Sequence, residues 1–370
     1  MMIPVFKPYY NDLEVKYLKE VIESGWWGMG PKTVEFEQKF AKYIGTNYAL
    51  GLNSGTAALH LALMCINIQN FEVISPSMTF VSTNHAILYN GGIPVFCDIE
   101  YDNLSVTAKE IEKLISPKTK AIIVVHYGGY ACDMDPIMEL ARTNNLVVIE
   151  DCAHACGGKY KDKMLGSIGD FGCFSFQAVK NLSTGDGGMI TTNNEEWAKR
   201  IKKLRWVGIS KDTFERGAGN SYDWFYDVTE LGFKYHMNDI MAAIGLAQLE
   251  KIEWMNDKRR YWSSRYRESL KDISEINCPL VKDYMFPACH NFVIKAEGRD
   301  ELRKVLMEKG ITTGVHYYPN HLFDMYKDYY RKLPVTESVW KNLVTLPLYP
   351  DLEEEDFQLI IKTIRDFYSI

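Results

Sequence analysis

From Glu72 to Glu150 the chain alternates between two kinds of segment. Short apolar runs (Glu72 to Ile74, Ile93 to Cys97, Ala121 to His126, Leu146 to Glu150) are separated by stretches with helical spacing of apolar residues (Thr79 to Tyr89, Thr107 to Ile115, Pro136 to Thr143). A continuous apolar strand has no face to offer water, and parallel neighbours need a crossover helix between them. The alternation therefore predicts an α/β fold, a mostly parallel sheet with helices on both faces. Pro136 falls in the first turn of its helix, where its missing N–H would have had no partner anyway.

The flanking segments follow the same logic. Asn11 precedes Leu13, Tyr17, Leu18, Val21 and Ile22 on one helical face, and Gly25 follows, so a capped helix with a glycine stop is expected. Thr33 is expected to open a second helix carrying Phe36, Phe40, Tyr43 and Ile44, and Ala57 to Cys65 reads as a third. After Glu150 the pattern changes. Phe171 to Phe176 and Gly188 to Thr192 read as strands around a polar, glycine-rich turn. Two long helical stretches follow, about Asn238 to Asp257 and Lys258 to Leu270. Beyond Cys278-Pro279 comes a smaller unit: strand Asn291 to Lys295, helix Arg299 to Lys309, strand Ile311 to His316, helix Glu353 to Phe367. We place the domain boundary near residue 250, with 1–250 as the N-terminal segment and large domain and 251–370 as the small C-terminal domain.

Composition narrows the function. Lys and Arg number 42 against 48 Asp and Glu, a net charge of −6, which gives no electrostatic footprint for nucleic acid or an anionic membrane. The longest strongly apolar run, Ala121 to Val125, is far short of the ~20 residues of a membrane span. The first residues lack the basic flank and apolar stretch of a signal peptide. Eight scattered cysteines form no disulfide framework. A cytoplasmic protein with a small-molecule task is expected.

Three constellations carry chemistry. Ser54-Gly55-Thr56-Ala57 is a tight turn opening a helix, whose free N–H groups and positive dipole end suit a phosphate; an ordinary helix cap is the other reading. Asp151 ends a buried strand, where open α/β sheets bind ligands. A carboxylate there needs a partner such as a cationic ring nitrogen, unless it caps a helix. Lys180 follows a buried strand and precedes Thr184-Gly185-Asp186-Gly187-Gly188. An apolar surrounding lowers an amine's pKa, and the neutral amine is the form that attacks an aldehyde. Cys152, His154 and Cys156 form a C-x-H-x-C set that matches no common zinc pattern and has no complementary cysteine pair, so no metal is expected. Taken together, phosphate turn, strand-end Asp and following Lys are the ordered set that pyridoxal 5'-phosphate requires.

At this point the sequence resembles a known family. Gly25-Trp26-Trp27, Asn53 to Leu59, Thr79 to Thr83, Pro94 to Asp98, Asp133 to Ile137, Glu150 to Ala155, Phe174 to Phe176 with Lys180, Thr184 to Gly188 and Ala242 to Gly245 form a series similar to the DegT/DnrJ/EryC1/StrS sugar aminotransferases. The resemblance implies the type I pyridoxal-phosphate aminotransferase fold, with a mostly parallel seven-stranded sheet in the large domain and a smaller C-terminal α/β domain. It implies Lys180 as the catalytic lysine joined to the cofactor, Asp151 as partner of the ring nitrogen, His154 beside the ring, and Phe80 stacked on its face. Gly55, Thr56 and Ser175 would hold the phosphate. Lys234 lies in a segment that in the family reaches the other subunit's phosphate site; the commonest pattern there has Asn at 234 and Arg at 236, where this chain has Lys234 and His236. Tyr317 and His321 match a loop near the sugar. A homodimer with shared sites is implied, acting on an amino donor, glutamate in most of the family, and a nucleotide-linked keto-sugar. Sugar choice is expected to rest on the loops Ser24 to Gly30, Arg216 to Tyr226 and Val315 to His321. Three other readings stand beside this one: an aminotransferase of a non-nucleotide cyclic ketone, a pyridoxal-phosphate-dependent sugar dehydratase (in the family these carry His in place of the lysine), and a non-catalytic regulator on the same fold.

Overall fold

A computed structural model describes residues 2–210 and 224–369. Thirteen strands lie among them: β1 Tyr48–Leu52, β2 Glu72–Pro76, β3 Ile93–Cys97, β4 Thr119–Val125, β5 Val147–Asp151, β6 Lys159–Tyr160, β7 Lys163–Met164, β8 Phe171–Ser175, β9 Gly188–Thr192, β10 Ile276–Asn277, β11 Met285–Phe286, β12 Phe292–Ala296 and β13 Leu343–Leu346. Seven form the main sheet in the order β1-β9-β8-β5-β4-β2-β3. β9 pairs antiparallel with both β1 and β8; the remaining pairings are parallel. Six strands thus share one direction. Their carboxyl ends, Leu52, Pro76, Cys97, Val125, Asp151 and Ser175, meet at one edge of the sheet. This is the α/β architecture with the seven-stranded, mostly parallel sheet.

Helices cover both faces. Leu59, Leu61, Leu63, Ile87 and Ile201 build one core with Ile123, Ile149 and Ile190; Phe36, Phe40 and Ile137 build the other with Ile122, Val124 and Phe174. Alternate residues of β4 and β5 thereby enter opposite layers, the period of two that a strand imposes. A third core gathers Tyr266, Phe292, Leu302, Val344, Phe357 and Ile360, and takes in Ile3 from the amino terminus.

Element boundaries show which sequence signals were sufficient. The first helix is Asp12–Ser24: the Asn11 side chain accepts from Leu13 N–H, Glu14 accepts from Asn11 N–H, and Gly25 ends it at φ 71°. The second begins at Pro31, two residues before the expected Thr33. Its amino end is capped from a distance by Asp239, which accepts from Gly30, Lys32 and Thr33 N–H and from the Thr33 hydroxyl. The long helices part at Glu250-Lys251, not at Asp257, giving Asp239–Leu249 and Ile252–Leu270. There Gln248 donates to Tyr9 O and Lys251 pairs with Glu14, so a tertiary contact sets the break. The expected strand Ile311 to His316 is absent; only isolated bridges occur there, Ile3 to Ile311 and Gly314 to Thr345. The small sheet, order β10-β12-β13, instead takes Leu343–Leu346 as its outer strand. No helix among the described residues is long and apolar enough to cross a membrane.

Candidate active site

The carboxyl edge of the sheet opens into a cavity of about 500 Å³, within the usual size range of small-molecule sites. Gly55, Thr56, Phe80, Asp151, His154, Ser175, Lys180 and Tyr317 all line it. They come from the loops after β1, β2, β5 and β8 and from the C-terminal segment, so the parallel sheet is what gathers them.

Ser54 caps the Gly55–Ile66 helix, its hydroxyl accepting from Ala57 N–H at 3.1 Å. The helical ladder starts at Ala58 N–H, which leaves the Gly55 and Thr56 N–H groups ahead of it at the cavity wall. Glycine is required here by close approach. A Cβ on Gly55 would stand 2.8 Å from Ser175 Cβ, and one on Gly188 would stand 2.3 Å from the Ser54 oxygen. The turn is thus pressed against the tips of β8 and β9, a cradle of backbone donors beside the Ser175 hydroxyl. The Thr56 hydroxyl donates to Ser82 at 2.8 Å.

Asp151 is buried. Its carboxylate accepts from the Thr83 hydroxyl at 2.7 Å and from Ala153 N–H at 3.1 Å. Burial raises its pKa, and those two donors together with the nearby Lys180 partly offset the rise. Lys180 is held by a turn, its N–H donating to Gln177 O at 2.8 Å. Burial brings its ammonium down to a pKa of about 8, against the pull of Asp151. By surface area Lys180 is half-buried; the space it reaches is the cavity. The neighbouring Glu150 faces the other way, accepting from Gly166, Ile168 and Gly169 N–H and pairing with His126 at 3.0 Å. Of two adjacent carboxylates on one strand, the pleat sends one to the cavity and one to a saturated network.

His154 Nδ1 accepts from Gly128 N–H at 3.3 Å, so Nε2 bears the hydrogen and donates to the Tyr317 oxygen at 2.9 Å. Burial and the nearby Lys180 hold its pKa well below the ordinary range, so the ring is neutral. Phe80 is no core aromatic: 58% of its surface is exposed, at the start of the Val81–Tyr89 helix, tilted against Tyr317 at 6.3 Å.

Two expected site residues do not line this cavity. The His321 ring is buried against Ser77 at 2.6 Å and Glu337 at 3.4 Å, so both nitrogens already have partners. The Lys234 ammonium stands 3.3 Å above the Trp206 ring. Most of the expected specificity loop Arg216 to Tyr226 lies outside the described residues. The sequence assigns no role to Thr83, which lies in the motif Thr79 to Thr83, nor to Phe6, His290 and His316, which reach the cavity from distant parts of the chain. The Cys152, His154 and Cys156 set does not assemble. Among the described residues the one triple of metal-type ligand atoms is His126, Glu150 and Cys152, buried within the network just described.

The Thr83 bond gives a testable consequence. Thr83→Val keeps the shape and removes the donor from a buried carboxylate, a loss worth about 1–3 kcal/mol. Cofactor retention, read by absorbance titration, is expected to weaken roughly tenfold; unaltered affinity would show that this bond does not orient Asp151.

The residues fit pyridoxal phosphate. A cradle that excludes Cβ atoms offers backbone donors, a buried carboxylate retains acceptor capacity, and an amine of lowered pKa faces the same space. Comparison with known proteins agrees. The sequence model of the DegT/DnrJ/EryC1/StrS aminotransferase family matches residues 8–365. The spore coat polysaccharide biosynthesis protein SpsC of Bacillus subtilis is 38% identical, covering 98% of this chain and 96% of its own. Spr1654 of Streptococcus pneumoniae in its PMP form superposes with a TM-score of 0.93 at 31% identity, covering 99% of both chains, and it has also been solved in a PLP form. The sugar aminotransferase CalS13 of Micromonospora echinospora gives 0.91 at 29%, covering 99% of this chain and all of that one. On this footing the chain belongs to the DegT/DnrJ/EryC1/StrS aminotransferase family and is a pyridoxal-phosphate-dependent enzyme.

Proposed function

We propose that this enzyme moves an amino group from glutamate to the keto group of a nucleotide-linked deoxysugar, as a homodimer, making an amino sugar for glycan or surface-polysaccharide synthesis. The observation that carries the reading is the convergence of Lys180, Asp151 and the Gly55-Thr56 turn on one cavity. The sugar is supported by the similarity to CalS13, and the polysaccharide context by the similarity to SpsC.

When bound, pyridoxal phosphate supplies an aldehyde that carries the amino group between substrates and a ring that withdraws electrons. In this reading the Asp151 carboxylate would pair with the ring nitrogen and keep it protonated. Lys180 holds the aldehyde between turnovers. As a free amine it would take the proton from the donor's α-carbon and, in the sugar half, would deliver a proton to the carbon that receives nitrogen. The Gly55 and Thr56 N–H groups and the Ser175 hydroxyl would bind the phosphate, with His154 beside the ring and Phe80 against one ring face. Tyr317 turns its hydroxyl toward the substrate. Lys234 reaches the phosphate of the partner's site as a point charge.

The reading also sets a pH dependence. The amine must be neutral to take up the aldehyde, and in the folded protein it titrates at about 8 instead of 10.5. Cofactor capture by the apo-enzyme, followed by stopped-flow absorbance, is expected to rise about tenfold per pH unit below 8 and to level off above it. A plateau reached only near 10.5 would place the amine in solvent.

The functional test uses enzyme carrying the aminated cofactor and a panel of nucleotide-linked keto-sugars. One of them should accept nitrogen and restore the original absorbance. Transfer only to a free cyclic ketone would overturn the nucleotide-sugar reading.

A further inference from the structure

We infer that His290 is a specificity-determining hydrogen-bond acceptor in the cavity, reserved for a hydroxyl of the sugar; the inference rests on the sugar reading above. Asn256 Nδ2 donates to Cys156 O at 2.9 Å, which fixes the orientation of its amide. Its oxygen then accepts from Asn181 Nδ2 at 2.8 Å, and the same Asn181 nitrogen donates to Ala288 O at 2.8 Å. Both amide hydrogens of Asn181 are thereby engaged, and its oxygen points at His290 Nδ1 from 3.0 Å. An amide oxygen only accepts, so Nδ1 carries the hydrogen of His290, and Nε2 of the neutral ring is a bare acceptor. Burial, with Lys180, His154 and Arg259 close by, holds His290 well below its ordinary pKa and keeps the ring neutral.

The ring is also fixed in its plane. Phe6 stacks on it at 5.5 Å and 3°, and His154 at 4.5 Å and 29°. His290 is 1% exposed, yet it lines the cavity. Nε2 has no partner among the described residues and is not sealed off, so the space beside it is the cavity itself.

The adjacent ring has the opposite tautomer. His154 donates through Nε2 to the Tyr317 oxygen, which leaves the Tyr317 hydrogen to turn elsewhere. The wall therefore offers an acceptor at His290 and a donor at Tyr317. A polyol satisfies both, giving a hydrogen to one and a lone pair to the other. A donor carboxylate has no hydrogen to give and meets the lone pair of His290 unfavourably. The pairing discriminates between the two substrates that a two-half reaction must admit in turn to one cavity. A site built to bond a hydroxyl rejects a ligand lacking it because its own buried group is left unpaired.

The test uses holoenzyme and measures each half separately: single turnover with glutamate, and single turnover of the aminated form with UDP- and dTDP-linked keto-deoxyhexoses. His290→Asn keeps a hydrogen for Asn181 and lacks the far nitrogen. His290→Gln places an amide near the position of that nitrogen. His290→Asn is expected to lower kcat/KM in the sugar half roughly ten- to hundredfold relative to the glutamate half, with His290→Gln recovering part of it. Nitrogen NMR of histidine-labelled wild type should show the hydrogen on Nδ1 of His290 and none on Nε2, whether or not the variants fold. Equal losses in both halves, no loss in either, or a hydrogen on Nε2 would overturn the inference while leaving the aminotransferase reading intact. A wild type that takes nitrogen from glutamate and passes it to no keto-sugar would overturn the sugar reading and this inference with it.

Discussion

Lys180→Ala should lower amine transfer by roughly 10³-fold or more, the scale on which a positioned acid–base group acts. The expectation comes from where the amine stands. Its ammonium is stripped of enough water to titrate at about 8, and it faces the space that also holds Asp151. In the proposed reaction the same nitrogen holds the cofactor and moves the proton, so one substitution removes both roles. The fold should survive, because only the backbone N–H of Lys180 makes a local bond, to Gln177 O. The measurements are steady-state transfer from glutamate and the visible spectrum of the purified variant. Wild-type turnover would remove Lys180 from the chemistry.

Asp151→Asn is the second large effect, and it separates function from stability. Turnover should fall by at least about a hundredfold, because a neutral amide cannot hold the ring nitrogen protonated in a site where charge interactions are strong. The apo-protein should melt no lower than wild type. The sign follows from the shifted carboxyl. Burial raises its folded pKa above the ordinary value, so the charged form is disfavoured on folding. That cost is fully present at pH above the folded pKa, fades as the pH falls from there toward the unfolded one, and is gone below it. At neutral pH the amide removes it, while the substitution loses the full strength of bonds from Thr83 and Ala153. A marked fall in Tm of the apo variant, with activity retained, would assign Asp151 a structural role instead. Buried groups that destabilise the apo-protein and serve the ligand are the usual exchange at functional sites.

Much of the fold was legible because it is written in short-range signals. The Asn11 cap and the Gly25 stop bounded the first helix as expected, and the runs at 93–97 and 188–192 are strands at the expected bounds. Signals failed where the deciding group came from elsewhere. Asp239 starts the second helix from more than 200 residues away, and contacts of Gln248 and Lys251 with the amino-terminal segment break the long helices. The segment 311–316 has strand-like residues, but it pairs only at single bridges, and His316 at its end lines the cavity.

The site divides in the same way. Ser54 to Thr56, Asp151 and Lys180 could be named from residue type and order, Asp151 and Lys180 because each sits at or just past the end of a predicted strand, whereas Phe80 and Ser175 are named by the family resemblance. His321 is expected near the sugar from its loop, but packing turns the ring away and bonds it to Ser77. His290 gave no signal at all. Its tautomer depends on a chain of amides from residues 181 and 256, and its plane on rings from residues 6 and 154. Local periodicity and strand-end chemistry act over a few residues, so most strands of the sheet, with Asp151 and Lys180 at their carboxyl ends, are legible in the residues alone. Hydrogen-bond orientation and burial depend on atoms brought together from the whole chain, so which side chains face the cavity, and with which atom, is set by long-range packing.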